Sequence, residues 1–253
     1  MLFLLRNIRR KLMSENKVTT YLLYAVGEIV LVVVGILIAV SIDNWNTEKS
    51  NRQKEIQYLK NIRLDLQKDL LSLDTLSRFR NDKAVRCRLL IEYMDGKSIH
   101  DLTEVTFAIS TSIWEQHFIP NNTTFTELAN SGNLSLISND SIKEVLLELE
   151  SLYDLNKAEI DHETFDYREY ISKPISKHIR LDRFTHSFMT QTTATDAGIT
   201  LQEVEQLLQD LQYRNGLHIT SFMSDYCVLQ YELIESMTSR LIALIDLELE
   251  RNE

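Results

Sequence analysis

Only six glycines and two prolines occur in 253 residues. Strands and hairpins are punctuated by these residues, so their scarcity argues against a turn-rich β-fold and for long helices. The glycines stand at 27, 35, 96, 132, 198 and 216. Neither GxGxxG nor GxxxxGK can be written with them, which excludes the phosphate-cradling loops those motifs encode. GxSxG and HExxH are also absent. The two cysteines, Cys87 and Cys227, are far apart and show no CxxC or Cys/His spacing, so zinc and thioredoxin-type chemistry are not expected. A disulfide between them outside the cytosol stays open. No enzyme, cofactor or resident metal is expected.

What is present is acidic. The chain has 27 Lys and Arg against 37 Asp and Glu, a net charge of -10. The first 42 residues hold five basic and two acidic side chains, leaving 22 basic against 35 acidic in the rest, where the acidic excess wholly lies. Such a surface repels nucleic acid and attracts inorganic cations.

From Tyr21 to Ile42 the chain reads YLLYAVGEIVLVVVGILIAVSI, with one charge. At about 1.5 Å per residue this spans a hydrocarbon core of about 30 Å, so a transmembrane helix over 18–46 is expected. The rival, a cleavable signal peptide ending near Ala39-Val40-Ser41, suits the stretch less well because the apolar run is long. Ahead of it, MLFLLRNIRRKLM puts Leu4, Leu5, Ile8 and Leu12 on one helical face and Arg6, Arg9, Arg10 and Lys11 elsewhere. That is the pattern of an interfacial amphipathic helix, over 1–17. Five Lys or Arg precede the span within fifteen residues and three follow it. The positive-inside rule then places the N-terminus in the cytoplasm and exports the C-terminal domain. Tyr21, Tyr24 and Trp45 fall near the two ends, where amphipathic rings prefer the headgroup level.

On a wheel of about 100° per residue, Glu28, Gly35, Ala39 and Asn46 fall within about 20° of one line, with Val32, Ile42 and Asp43 beside it. Val30, Val33 and Leu37 face the opposite way. Gly35 and Ala39 form a small-xxx-small pair that lets helices approach closely. Glu28 is costly in lipid and suits a protein interior or water. Two blander readings remain: Glu28 reaching the headgroups or pairing with Lys17, and Asp43 being simply solvated.

The stretch YLLYAVGEIVLVVVGILIAVSIDNWN, preceded by KLMSENK, resembles a family of uncharacterised bacterial membrane proteins whose spans read YAxGEIxLVVxGILIAxxIxNWN. A weaker echo is FTELANSGNLSLI at 125–137. Asp43 stands where the family commonly has Asn, and Thr47 where it has Glu. The resemblance implies a bacterial inner-membrane protein and brings no activity, catalytic residue or cofactor.

Beyond the span, Ile56, Leu59, Ile62, Leu66, Leu70, Leu73 and Phe79 recur at steps of three and four, which predicts a long stalk helix over 47–96 ended by Gly96. A helical bundle is expected over 97–253. Thr124/Glu127, Ser141/Glu144 and Thr200/Glu203 have capping-box spacing. Ile142, Val145, Leu149 and Leu152 form one core stripe, and Ile219, Phe222, Tyr226, Leu229, Leu233, Met237, Leu241 and Leu244 another. Pro174 should end or kink the helix that starts near Ser141. Residues 190–199 read as an exposed loop, 121–139 as the least regular surface, and Asp161-His162-Glu163 as a solvated face. The fold class is all-α.

Two functions fit. In the first, several copies meet along the Glu28, Gly35, Ala39 and Asn46 face and line a cation-conducting pore, with Glu28 and Asp43 as inner and outer acidic rings and Val32 and Ile42 between. In the second, the span only anchors and oligomerises, and the exported bundle is a sensor or scaffold. Expected partners are the lipid bilayer, further copies of the chain and inorganic cations.

Overall fold

The computed structural model describes residues 18–190 and 192–251, and all their side chains except those of 18–21 and 188. The leader with Arg6, Arg9, Arg10 and Lys11, and the Tyr21 side chain, lie outside the described residues. Every regular element described is helical and no strand occurs among them, as the scarcity of glycine and proline implies.

Helix α1, Val18–Met94, is unbroken and covers both the expected span and the expected stalk. It stops where glycine permits: Gly96 has φ 103°, its N–H bonds Tyr93 O at 3.2 Å, and the Lys97 N–H bonds Glu92 O at 3.1 Å. This double closure satisfies the last carbonyls, and it needs a left-handed residue at that point. The chain divides into two compact units, Met1–Ile56 and Gln57–Glu253. The first contains the one described helical segment long and apolar enough to cross a membrane.

In the second unit α1 is followed by α2 (Leu102–Ile113), α3 (Thr123–Asn130), a 3-10 turn (Asn133–Leu136), α4 (Asp140–Asp166), a π-helical segment (Tyr167–Ser172), α5 (Lys173–His178), α6 (Leu181–Thr190), α7 (Leu201–Leu208) and α8 (Leu211–Glu250). Two hydrophobic cores form. One joins Leu59, Leu66 and Leu73 of α1 to Val145 and Leu149 of α4 and to Tyr231 and Leu241 of α8. The other joins Leu90 of α1 to Val105 and Ile109 of α2, Ile171, Leu207 and Leu217. Cys227 is buried in the first core and Cys87 in the second, and both are free.

The regular α-helix that begins at Asp140 ends at Asp166, eight residues before Pro174. The turn before it widens to π, and Pro174 enters the first turn of α5, where its missing N–H costs least. A π-turn would pair the carbonyl of Glu169 with the N–H five residues on, which Pro174 lacks. That carbonyl instead accepts Gln212 Nε2 at 2.6 Å.

Several local expectations yield to tertiary contacts. The Thr200/Glu203 capping box forms. At α4 the cap is Asn139, whose side-chain oxygen accepts from Ser141 N at 3.0 Å, so Ser141 lies inside the helix. Thr124 donates across the fold to Asp65 at 2.6 Å, and Asn122 occupies the cap position of α3. Residues 121–139, expected to be irregular, hold α3 and the 3-10 turn, with Leu128 and Ile137 fully buried. In the segment 192–200, Ala194 and Ile199 are buried in the second core, so it is not a free loop. The expected α8 stripe holds at its C-terminal end, where Leu241 is buried and Met237 and Leu244 pack against the core, and is displaced around the helix before it. Leu217, Ser224, Cys227, Tyr231, Ile234 and Thr238 face inward, while Phe222, Leu229 and Leu233 face solvent. Small and hydroxylated residues sit inward because they allow close helix approach.

Candidate functional site

Within the second unit, the buried face of α1 interrupts its leucines with three charged residues. Asp69 and Arg80 are fully buried and Lys83 is 2% exposed. Burying a charge is costly unless it is paired and hydrogen-bonded; Arg80 is paired with Glu163, while Asp69 and Lys83 are hydrogen-bonded to neutral groups. Their partners lie largely in one non-helical segment, residues 114–122, between α2 and α3.

Lys83 Nζ donates to Trp114 O at 2.7 Å. Arg80 donates to Gln116 O at 2.7 Å, lies 3.3 Å from His117 Nδ1, and grips both carboxylate oxygens of Glu163 on α4, one of them at 2.9 Å. Asp69 Oδ1 accepts the Asn121 main-chain and side-chain N–H groups, each at 2.8 Å, and Oδ2 accepts Tyr153 OH at 3.0 Å. Asn156 Nδ2 donates to Phe118 O at 3.1 Å. One helix thus holds the segment at both ends and in the middle, and Phe118 plugs into the first core between Tyr153 and Tyr231.

The electrostatics follow from burial and pairing. Burial pushes the Glu163 carboxyl up, but the Arg80 guanidinium outweighs it and holds the group below the usual carboxylate range. Burial lowers Lys83 and His117 and raises Glu115. Burial also raises Asp69, against the bonds from Asn121 and Tyr153.

Outside this seam, the held segment faces a groove of about 520 Å³ between itself and α4, lined by Phe118, Ile119, Pro120, Tyr153, Asp154 and Ile160 among others. Ile119 is 78% exposed although its chain neighbours are tied down. No group of three His, Cys, Asp or Glu able to hold a metal occurs among the described residues.

The chain belongs to DUF6090, a family of unknown function. The family's model matches residues 28–168, more than half of the chain. The DUF6090 match begins at Glu28, runs through the apolar helix and the seam of Asp69, Arg80 and Lys83, and ends just past Glu163. No curated protein and no solved structure matches the chain.

The residues singled out from the sequence lie on the N-terminal part of α1. Glu28, Val32, Gly35, Ala39, Ile42, Asp43 and Asn46 are all exposed on that helix, and a Cβ added to Gly35 would meet no atom within 4 Å. Tyr24 is half-buried, and Trp45 is exposed with Lys49 Nζ 5.5 Å from its ring centre. Sequence reasoning missed the seam. Glu163, expected on a solvated face, is buried against Arg80. A signal was present: Asp69, Arg80 and Lys83 interrupt the apolar face of α1 at helical spacing, in line with Ile62, Leu66, Leu73 and Leu76.

Proposed function

We propose that this DUF6090 chain is a single-span protein of the bacterial cytoplasmic membrane, with its N-terminus in the cytoplasm. Its spans associate with one another, and its exported helical domain is an interaction module. The observation that carries the module is the clamped segment 114–122. A connector between two helices needs no buried charge, yet here Asp69, Arg80 and Lys83 are buried to hold one. Presenting Ile119 and Pro120 in a fixed geometry lowers the ordering cost of binding.

The test places a photoreactive amino acid at Ile119 of the full chain in its native membrane. A discrete adduct, absent when the same group replaces Lys97, is expected. Equal labelling at the two positions would count against the module.

A second reading rests on the uncovered stripe of the first unit. Spans meeting along Glu28, Gly35, Ala39 and Asn46 would surround a narrow cation pathway, with Glu28 and Asp43 as acidic rings that replace part of an ion's hydration. Purified chain in lipid vesicles then passes monovalent cations, and Glu28→Gln reduces the flux. Flux no greater than that of empty vesicles removes this reading and leaves the module.

A further inference from the structure

His117 sits in the middle of the clamped segment 114–122, and its ring nitrogen Nδ1 lies 3.3 Å from the Arg80 guanidinium and 3.4 Å from the Glu163 carboxylate. A guanidinium carries only N–H donors, so its contact with Nδ1 requires that nitrogen to accept. The ring is therefore neutral, with its proton on Nε2. The carboxylate oxygen nearest Nδ1 is already bonded by Arg80, at 2.9 Å. The closed seam has a place for neutral histidine and none for imidazolium.

Protonating Nδ1 points a new N–H at the N–H groups of Arg80 and adds a positive charge beside Arg80 and Lys83 of α1. Glu163, already held by Arg80, cannot satisfy both. The His117 side chain is 19% exposed, so the charged ring reaches water by turning outward. That movement pulls on main chain that Arg80 and Asn156 hold, through Gln116 O at 2.7 Å and Phe118 O at 3.1 Å. Ile119 and Pro120 follow directly in the chain.

Burial holds His117 below its ordinary value of about 6.5. The stabilisation by the neutral ring is therefore complete above about pH 6.5 and is lost as pH falls below it. The carboxyls around it do not share this direction in mild acid. Glu115 of the segment, Asp69 of α1 and Asp166 of α4 are raised by burial, so acid neutralises them first in the folded form and favours it. Glu163 is held low by Arg80 and stays ionised. Arg80, and Arg168 near Glu115, keep their charge throughout. From α8, Cys227 and Tyr231 adjoin Arg80 and are raised by burial, hence neutral. Lys83 is lowered and acts in the same direction as His117 from about pH 10 downward, so the test must hold it constant.

We infer that the Arg80 and His117 contact is an acid-released latch on segment 114–122: neutral histidine closes it, and imidazolium opens it and frees Ile119 and Pro120 from their fixed geometry. Its meaning for binding rests on the interaction module proposed above, while the latch itself needs no partner. The full chain in detergent is labelled by hydrogen exchange at pH 7.5 and 5.5, with times scaled to the intrinsic exchange rate. Wild type is compared with His117→Asn, whose side-chain oxygen replaces Nδ1 as acceptor and takes up no proton. Opening of a peptide spanning 114–122 is expected to rise several-fold at pH 5.5 in the wild type, with a ceiling of about tenfold for one histidine of free value about 6.5, and to show no rise in His117→Asn.

A rise of the same size in both proteins, or in neither, overturns the latch. So does a rise matched by residues 224–238 of α8, which would be unfolding and not local release. Helical circular dichroism equal to wild type confirms that His117→Asn folds, and His117→Gln takes its place otherwise. Photoadducts from Ile119 are collected in the native membrane at the same two pH values, and fewer are expected at pH 5.5. Release without an adduct at either pH keeps the latch and removes the module. An adduct at both without release overturns the latch and keeps the module.

Discussion

Gly216 of α8 lies directly against the main chain of Tyr170 in the π-helical segment: a Cβ at Gly216 would come within 2.8 Å of the Tyr170 carbonyl carbon and Cβ. Tyr170 is four residues before Pro174, so in an α-helix its carbonyl would clash with the proline ring. The widened turn relieves that clash and leaves this stretch of main chain close to α8. Glycine opposite it is the accommodation.

Gly216→Ala should therefore destabilise the domain. In an open helix position the change would gain up to about 1 kcal/mol from helix propensity. Here overpacking against main chain costs about 1–3 kcal/mol and outweighs it. Denaturant unfolding of the full chain in detergent, read by helical circular dichroism, checks the sign, and a stabilised variant would refute the close approach.

The Arg80 and Glu163 pair supports a second expectation. Removing one partner, as in Arg80→Met, strands the other charge in the interior and should cost about 3–5 kcal/mol. Replacing both, with Arg80→Met and Glu163→Leu, should cost much less than the sum of the single changes. Unfolding midpoints of the four proteins close the cycle, and additive losses would mean the pair does not act as a unit.

Acid should weaken the α8 cap. Burial opposes ionisation of Asp210, but bonds from His178 and Lys177 and from the main-chain N–H groups of Tyr213 and Gln212 bring its carboxyl down to about 2. The folded value lies below the unfolded one of about 3.9, so this stabilisation is complete above about pH 4 and is lost as pH falls towards 2. Asp210→Asn keeps a capping oxygen and should flatten that part of the stability curve, measured by denaturant unfolding at pH 5, 4 and 3. A wild-type slope that persists in the variant would assign the loss to other carboxylates such as Glu163.

The two polar residues at the start of α4 should separate cleanly. Asn139 accepts the Ser141 and Ile142 N–H groups and donates to Glu248 at 3.1 Å. Asn139→Ala should cost about 0.5–2 kcal/mol. Ser141→Ala should change stability little, because the Ser141 side chain is not the cap. Thermal unfolding of both variants decides, and a larger effect at Ser141 would restore the capping box expected from the sequence.

Much of the architecture was legible in the residues alone. Scarce glycine and proline exclude strands, the run from Tyr21 to Ile42 marks one apolar helical segment, and Gly96 marks the end of α1. These depend on local geometry, which neighbouring residues determine by themselves. Thr200 and Glu203 cap α7 for the same reason, since both partners lie within one turn.

What only the tertiary structure decided is which side of each helix faces inward and which charges are paired there. The seam of Asp69, Arg80, Lys83 and Glu163 joins residues up to 94 positions apart; their place in line with the apolar face of α1 hints at burial, but nothing local supplies the partners that make it tolerable. The same holds for α8. By apolar content alone Phe222, Leu229 and Leu233 look like core, yet Ser224, Cys227 and Thr238 are buried instead. Close helix packing favours small side chains, and this preference is set by the partner helix.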